Sequence, residues 1–238
     1  MKIIFVRHGD PNYELDTLTP VGLEQAQALA EYLKDIPMDG IYSSPMGRAY
    51  LTATTCYPAD KVVVHDWMKE FYGNPVLEDG TVMEVSWDFM PSYTAKHPEL
   101  YDNNAYLDTL AIKSAGVVDK YHHAIRQFDK LVAQHGYEYK DGYYKVNDSN
   151  TKTIIIFCHL GLMSVLMSRL MNASYVLLAQ HMCASPSSIT VFATEEREQG
   201  IAQFRCLGYG TTPHLARKNL PNSFSARFCE IYLSDDRH

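Results

Sequence analysis

The chain reads as an α/β protein with a mostly parallel central sheet and helices on both faces. Two observations predict this. Residues 2–6 and 153–158 are short apolar runs rich in β-branched residues, the pattern of strands buried on both faces. The order along the chain is strand, helix, strand, helix, strand, an irregular region, then strand, helix and further strands. Such alternation implies parallel strands joined by helical crossovers.

Each element has its own signal. After the first strand, Thr19-Pro20 suits an N-cap followed by proline at the first helical position, and Ala26, Leu29, Ala30 and Leu33 form one apolar helix face that ends before Pro37. Gly40-Ile41-Tyr42 is strand-like. Arg48 opens a helix that Pro58 stops, and residues 61–65 read as a strand. Tyr121, Ile125, Phe128 and Val132 make a helical stripe from Val118, closed by Gly136. Asp141-Gly142 between two Tyr-rich segments is a hairpin signal. Residues 160–171 are an apolar helix, and residues 188–192 and 201–204 form a hairpin across 195–200.

Composition narrows the function. The 238 residues are 46% hydrophobic, enough for a sizeable core, with 21 basic against 28 acidic residues. A net charge of −7 argues against non-specific nucleic-acid binding, which needs a basic footprint. No apolar stretch reaches the length of a membrane span or signal peptide. The five cysteines, Cys56, Cys158, Cys183, Cys206 and Cys229, are widely spaced without a Cys-x-x-Cys pair, so reduced thiols and a cytoplasmic location are expected. No histidine cluster has metal-ligand spacing and no glycine-rich nucleotide loop is present, so neither metal nor cofactor is expected.

The chemistry concentrates where strands end. Arg7-His8-Gly9 follows the first buried run, and His159 with Gly161 follows the second. In an open α/β sheet, ligands bind outside the carboxyl ends of the strands. Arginine offers a planar fork of donors to phosphate or carboxylate, and histidine is a nucleophile near neutral pH. Taken singly, each residue has an ordinary reading as well: Arg7 as a surface ion-pair partner, Arg48 covering a helix face, His159 as a satisfied strand-end histidine. Glu70 has acidic neighbours, Glu78, Asp79 and Glu84, that suit an exposed loop.

Four marks taken together carry a resemblance. They are Arg7-His8-Gly9, the Ser44-x-x-x-Arg48-Ala49-x-x-Thr52-Ala53 block, Glu70 ahead of Phe71-Tyr72-Gly73, and the late strand ending in His159. In this order they resemble the histidine phosphatase superfamily, with its phosphoglycerate-mutase-like fold, over residues 1–73 and 153–193. The resemblance implies one domain over residues 1–238, with an insertion at about 74–150 as a lid. It implies a phosphatase of the histidine acid phosphatase type, acting through phosphohistidine on a small phosphorylated metabolite. His8 would be the nucleophile, Glu70 the proton donor and then base, and Arg7, Arg48 and His159 the phosphate clamp. Asn12 and Thr19 would be secondary phosphate or substrate contacts, and His214 would sit near the mouth of the site. Asn12 reads equally as a turn residue beside Pro11. A mutase on the same site and a non-catalytic phospho-ligand module are the alternatives.

Two features depart from the family pattern. Leu160 stands where the late motif usually has glycine, which would either narrow the pocket or redirect the backbone N–H there. The insertion carries Trp87, Phe89, Met90, Tyr93, Tyr101 and Tyr106, and reads either as a lid over the leaving group or as a decoration with its own small core.

Overall fold

The computed structural model describes residues 1–223, 225, 231 and 232, so Cys229 lies outside the described residues. Its strands are β1 (Lys2–Arg7), β2 (Pro11–Asn12), β3 (Thr17–Leu18), β4 (Gly40–Ser43), β5 (Val63–Val64), β6 (Tyr137–Lys140), β7 (Tyr143–Val146), β8 (Thr153–Cys158), β9 (Ile189–Glu198) and β10 (Ile201–Thr211). Its α-helices are α1 (Pro20–Leu33), α2 (Gly47–Cys56), α3 (Pro91–Thr94), α4 (Leu110–Ser114), α5 (Val118–Gln134), α6 (Leu160–Met171), α7 (Tyr175–His181) and α8 (Pro213–Lys218).

Eight strands form one sheet in the order β5-β4-β8-β1-β9-β10-β7-β6, and β2 pairs with β3 separately. The block β5-β4-β8-β1 is parallel, and β9, β10, β7 and β6 extend it by antiparallel pairing. The β1–β8 register places Arg7 opposite Cys158, so the two strands end level with each other.

Alternation along β1 and β8 divides the core. Ile3, Phe5, Ile154 and Ile156 face a cluster containing Phe128 of α5 and Leu166 of α6. Ile4, Val6, Ile155 and Phe157 face Leu29 and Leu33 of α1 and Ala53 of α2. A strand with both faces covered must be apolar at every position, which explains the unbroken runs.

Three sequence readings change in detail. The strand expected over 61–65 shrinks to Val63–Val64, because residues 59–61 close a 3-10 turn with Val62 N–H donating to the Ala59 carbonyl at 3.2 Å. The second hairpin is longer than expected: β9 and β10 run to a tight turn in which Gly200 adopts φ +78°. The insertion has no separate small core. Trp87, Phe89, Leu100 and Tyr106 are buried in the same cluster as α5 and α6. Gln180 of α7 holds the Phe89 backbone at both ends, accepting its N–H at 3.0 Å and donating to its carbonyl at 2.8 Å.

Candidate active site

Parallel neighbours β1 and β8 deliver two imidazoles side by side. His8 and His159 have ring centroids 5.2 Å apart, and both are buried. Gly9 then turns the chain under α1. A Cβ there would lie 2.8 Å from the Gly22 carbonyl oxygen, so the close approach requires glycine. The Gly9 N–H donates to Thr52 Oγ1 at 3.0 Å, tying this turn to α2.

The tautomer of His8 follows from its partner. Nδ1 lies 2.8 Å from the Gly9 carbonyl oxygen, which only accepts, so Nδ1 carries the proton and Nε2 keeps its lone pair. Burial first, then the charges of Arg7 and Arg48, hold the His8 pKa well below the usual imidazole range. The ring is therefore neutral at physiological pH, as a nucleophile must be.

Around it stands a concentration of buried cationic donors. Arg7 is 7% exposed and Arg48 2%. Arg7 Nη1 donates to the Ala184 carbonyl at 2.7 Å. Arg48 Nη1 donates to Asp16 Oδ1 at 2.5 Å and Nη2 to the Tyr72 hydroxyl at 3.2 Å, while its guanidinium stands over the Tyr13 ring at 5.3 Å. His159 Nε2 and Ser44 Oγ are hydrogen-bonded at 2.8 Å. Arg7 Nε, Arg48 Nε and His159 Nδ1 are buried without a partner among the described residues. Two guanidiniums out of water with unspent donors are costly unless an anion joins them. The cluster is built to receive one.

Glu70 brings a carboxyl to this cluster. Its Oε1 accepts the N–H of Phe71 at 2.8 Å and that of Leu162, in the first turn of α6, at 3.0 Å. Burial raises its pKa above the ordinary carboxyl range, against the lowering pull of these two N–H groups and of Arg7 and Arg48. Glu78 instead accepts from the Tyr93 hydroxyl at 3.1 Å, and Glu84 is exposed. Among the described residues, no group of three or more His, Cys, Asp or Glu is arranged to hold a metal.

The model of the histidine phosphatase superfamily (branch 1) matches residues 3–136, more than half of the chain. The chain belongs to the histidine phosphatase superfamily. The match stops short of β8, so His159 joins the family's Arg-His-Gly strand here through the fold. No curated protein matches by sequence. Among solved structures, the chain is similar to a phosphoserine phosphatase from Entamoeba histolytica solved with 3-phosphoglyceric acid (20% identity, TM-score 0.59, covering 90% of this chain and 98% of that one). It is also similar to a mycobacterial glucosyl-3-phosphoglycerate phosphatase solved with VO3 (19%, 0.56, 88% and 99%) and to the α-ribazole phosphatase of Shigella flexneri (20%, 0.54, 89% and 97%). At these identities the likeness establishes a shared fold.

In this superfamily member the secondary candidates hydrogen-bond within the protein. Asn12 Oδ1 accepts the Leu15 N–H at 3.1 Å and closes a turn, its alternative reading. Thr19 caps α1: its hydroxyl accepts the Gly22 N–H at 3.0 Å and donates to Asp10 Oδ2 at 2.6 Å. His214 is buried, and its Nε2 is 2.7 Å from Ser187 Oγ.

Leu160 is partly buried as the first residue of α6, and Gly161 is the residue the site needs small. A Cβ on Gly161 would lie 2.3 Å from Trp87 Cη2 and 2.8 Å from Glu70 Oε1. Sequence reasoning missed Asp16, Tyr13 and Tyr72, which surround Arg48. Asp16 was detectable only as a carboxylate close before the Thr19 cap. It also accepts the Gly47 N–H at 2.7 Å, so it caps α2 from a distant loop.

Proposed function

We propose that the protein hydrolyses phosphomonoesters of small metabolites through a phosphohistidine on His8, acting as one domain with the insertion over the site. The single observation that carries this reading is a neutral, Nδ1-protonated His8 beside two buried, under-paired guanidiniums and a carboxyl of raised pKa.

In the first step His8 Nε2 attacks phosphorus and the P–O bond to the alcohol breaks. Arg7, Arg48 and His159 hold the non-bridging oxygens, where charge-assisted contacts are strongest. The Glu70 carboxyl passes its proton to the departing oxygen. In the second, the Glu70 carboxylate takes a proton from water, the new P–O bond forms, the P–N bond breaks and inorganic phosphate leaves. A donor that must start protonated favours turnover on the acid side of neutrality, in keeping with an acid phosphatase. The phosphatases similar in fold act on small phosphorylated metabolites, which is the substrate class assigned here. Free thiols at Cys56, Cys158 and Cys206 suit a cytoplasmic setting, and among the described residues no helix is long and apolar enough to cross a membrane.

A mutase must hold a compact, highly anionic ligand. Residues 71–112 contain one Lys or Arg, Lys96, against seven acids, which favours hydrolysis over mutase chemistry. A pure binding module would have no use for both nucleophile and acid. Rapid quenching during turnover of a radiolabelled ester tests the reading. Acid-labile, base-stable label on His8 is expected, together with a folded His8→Ala variant slowed at least about 1000-fold. Turnover near that of the unmodified protein in His8→Ala would overturn it.

A further inference from the structure

The segment between α7 and β9 holds the catalytic strand from behind. The Ala184 carbonyl accepts from the Arg7 side chain at 2.7 Å. The Ser187 N–H donates to both the Arg7 carbonyl, at 3.0 Å, and the His8 carbonyl, at 2.8 Å, while the Ser188 carbonyl accepts the Arg7 N–H at 3.2 Å. One short loop therefore fixes the backbone of both residues and one donor of the clamp.

To make these bonds Ser187 adopts φ +68°, the left-handed region that a residue with a Cβ resists. Something must hold it there. Ser187 is buried, and its hydroxyl has one protein partner among the described residues, His214 Nε2 at 2.7 Å. His214 stands in the first turn of α8, buried, with Nδ1 unpartnered among the described residues and its ring 6.2 Å from that of Tyr32 in α1. Burial pushes its pKa down to about 4, so the ring stays a neutral hydrogen-bonding prop.

We propose that His214 is a positioning residue: it locks Ser187 in its left-handed conformation, and Ser187 in turn sets the backbone that aims His8 and Arg7. This rests on the reading of His8 as the nucleophile. It also makes a specific demand. Glycine adopts positive φ without help, so with Ser187→Gly the chain no longer needs the lock.

The test is a double-mutant cycle on the full-length protein, reading kcat and KM for para-nitrophenyl phosphate and tungstate affinity by calorimetry. In the native background, His214→Ala is expected to lower kcat by about 10- to 100-fold, the usual effect of a misplaced reacting group. In the Ser187→Gly background the same substitution is expected to cost less than about threefold, the size of uncoupled effects. His214→Gln, whose amide nitrogen can reach the Nε2 position, is expected to recover most of the loss and serves as the readable variant if His214→Ala fails to fold. A loss of equal size in both backgrounds, kcat in His214→Ala equal to that of the unmodified protein, or no recovery with Gln would each overturn the proposal. If the unmodified protein turns over no ester yet binds tungstate, the phosphatase reading fails by itself. The same cycle read in tungstate affinity then decides the role of His214.

Discussion

Replacing Gly161 with alanine adds one methyl group at the point where the acid, the second histidine's helix and the insertion meet. That methyl would lie 2.3 Å from Trp87 Cη2, 2.5 Å from Cζ3 and 2.8 Å from Glu70 Oε1. Carbon atoms rest at about 3.5–4.0 Å, so the indole must retreat by more than about 1 Å or α6 must shift. Alanine gains about 1 kcal/mol of helix propensity over glycine, and overpacking costs about 1–3 kcal/mol. The net is a loss of between zero and about 2 kcal/mol of stability, read from urea unfolding. Activity should suffer more. Displacing a reacting group by about 1 Å costs about 100-fold, so kcat for alkyl phosphates should fall by 10- to 100-fold, and for aryl phosphates much less. Trp87→Phe removes the outer indole carbons and should relieve the stability cost of Gly161→Ala. The activity loss should persist, because the contact with Glu70 remains. A Gly161→Ala protein with undiminished turnover of alkyl esters would refute the placement of the acid beside this glycine.

Further outcomes follow from the same geometry. Glu70→Gln should slow alkyl esters far more than aryl esters, whose leaving groups need little protonation; equal losses would remove Glu70 from the role of acid. The pH profile should have a fixed sense. Glu70 donates only while protonated and its pKa is raised, so kcat/KM falls as pH rises through that raised value. His8 attacks only while neutral and its pKa is pushed well below the imidazole range, so no acid-side fall should appear near pH ~6.5. Glu70→Gln should abolish the alkaline fall, and an acid limb at ordinary imidazole pH would count against a neutral buried His8. Finally, incubation with 3-phosphoglycerate and a bisphosphate primer should give negligible 2-phosphoglycerate; efficient primer-dependent interconversion with little phosphate release would favour the mutase.

The parts of this molecule that were legible in the sequence are those whose cause is local. The runs at β1 and β8 are apolar because both faces are covered, and the Arg-His-Gly and His159 signals sit directly at their ends. Asp141-Gly142 announces its hairpin because both residues need positive φ, and they adopt +40° and +98°. What escaped has its cause elsewhere in the chain. Asp16 pairs with a guanidinium 32 positions away, and nothing in its neighbourhood marks that partner. Ser187 looks like any loop serine until His214, 27 positions on, is beside it. Helix α7 is seven residues long and carries no clean periodicity. Thr19 was legible for a local reason too: the Thr-Pro pair announced a cap, and its hydroxyl accepts the Gly22 N–H while donating to Asp10.

Among the described residues, the Glu70 carboxyl is held through one oxygen. Both backbone N–H groups that grip Glu70 converge on Oε1, and one of them belongs to the helix whose N-cap is His159. The carboxyl and the second imidazole are thus both tied to the start of α6, His159 through the chain itself and Glu70 through one hydrogen bond. When that helix tilts or slides it carries the imidazole with it and draws on the carboxyl through that bond, while the Phe71 N–H holds the same oxygen from the loop. The segment over residues 74–115 is bound into the same arrangement, because Trp87, Phe89, Leu100 and Tyr106 sit in the core shared with α5 and α6. It must also leave room, beside Gly161, for the carboxyl to stand where it does.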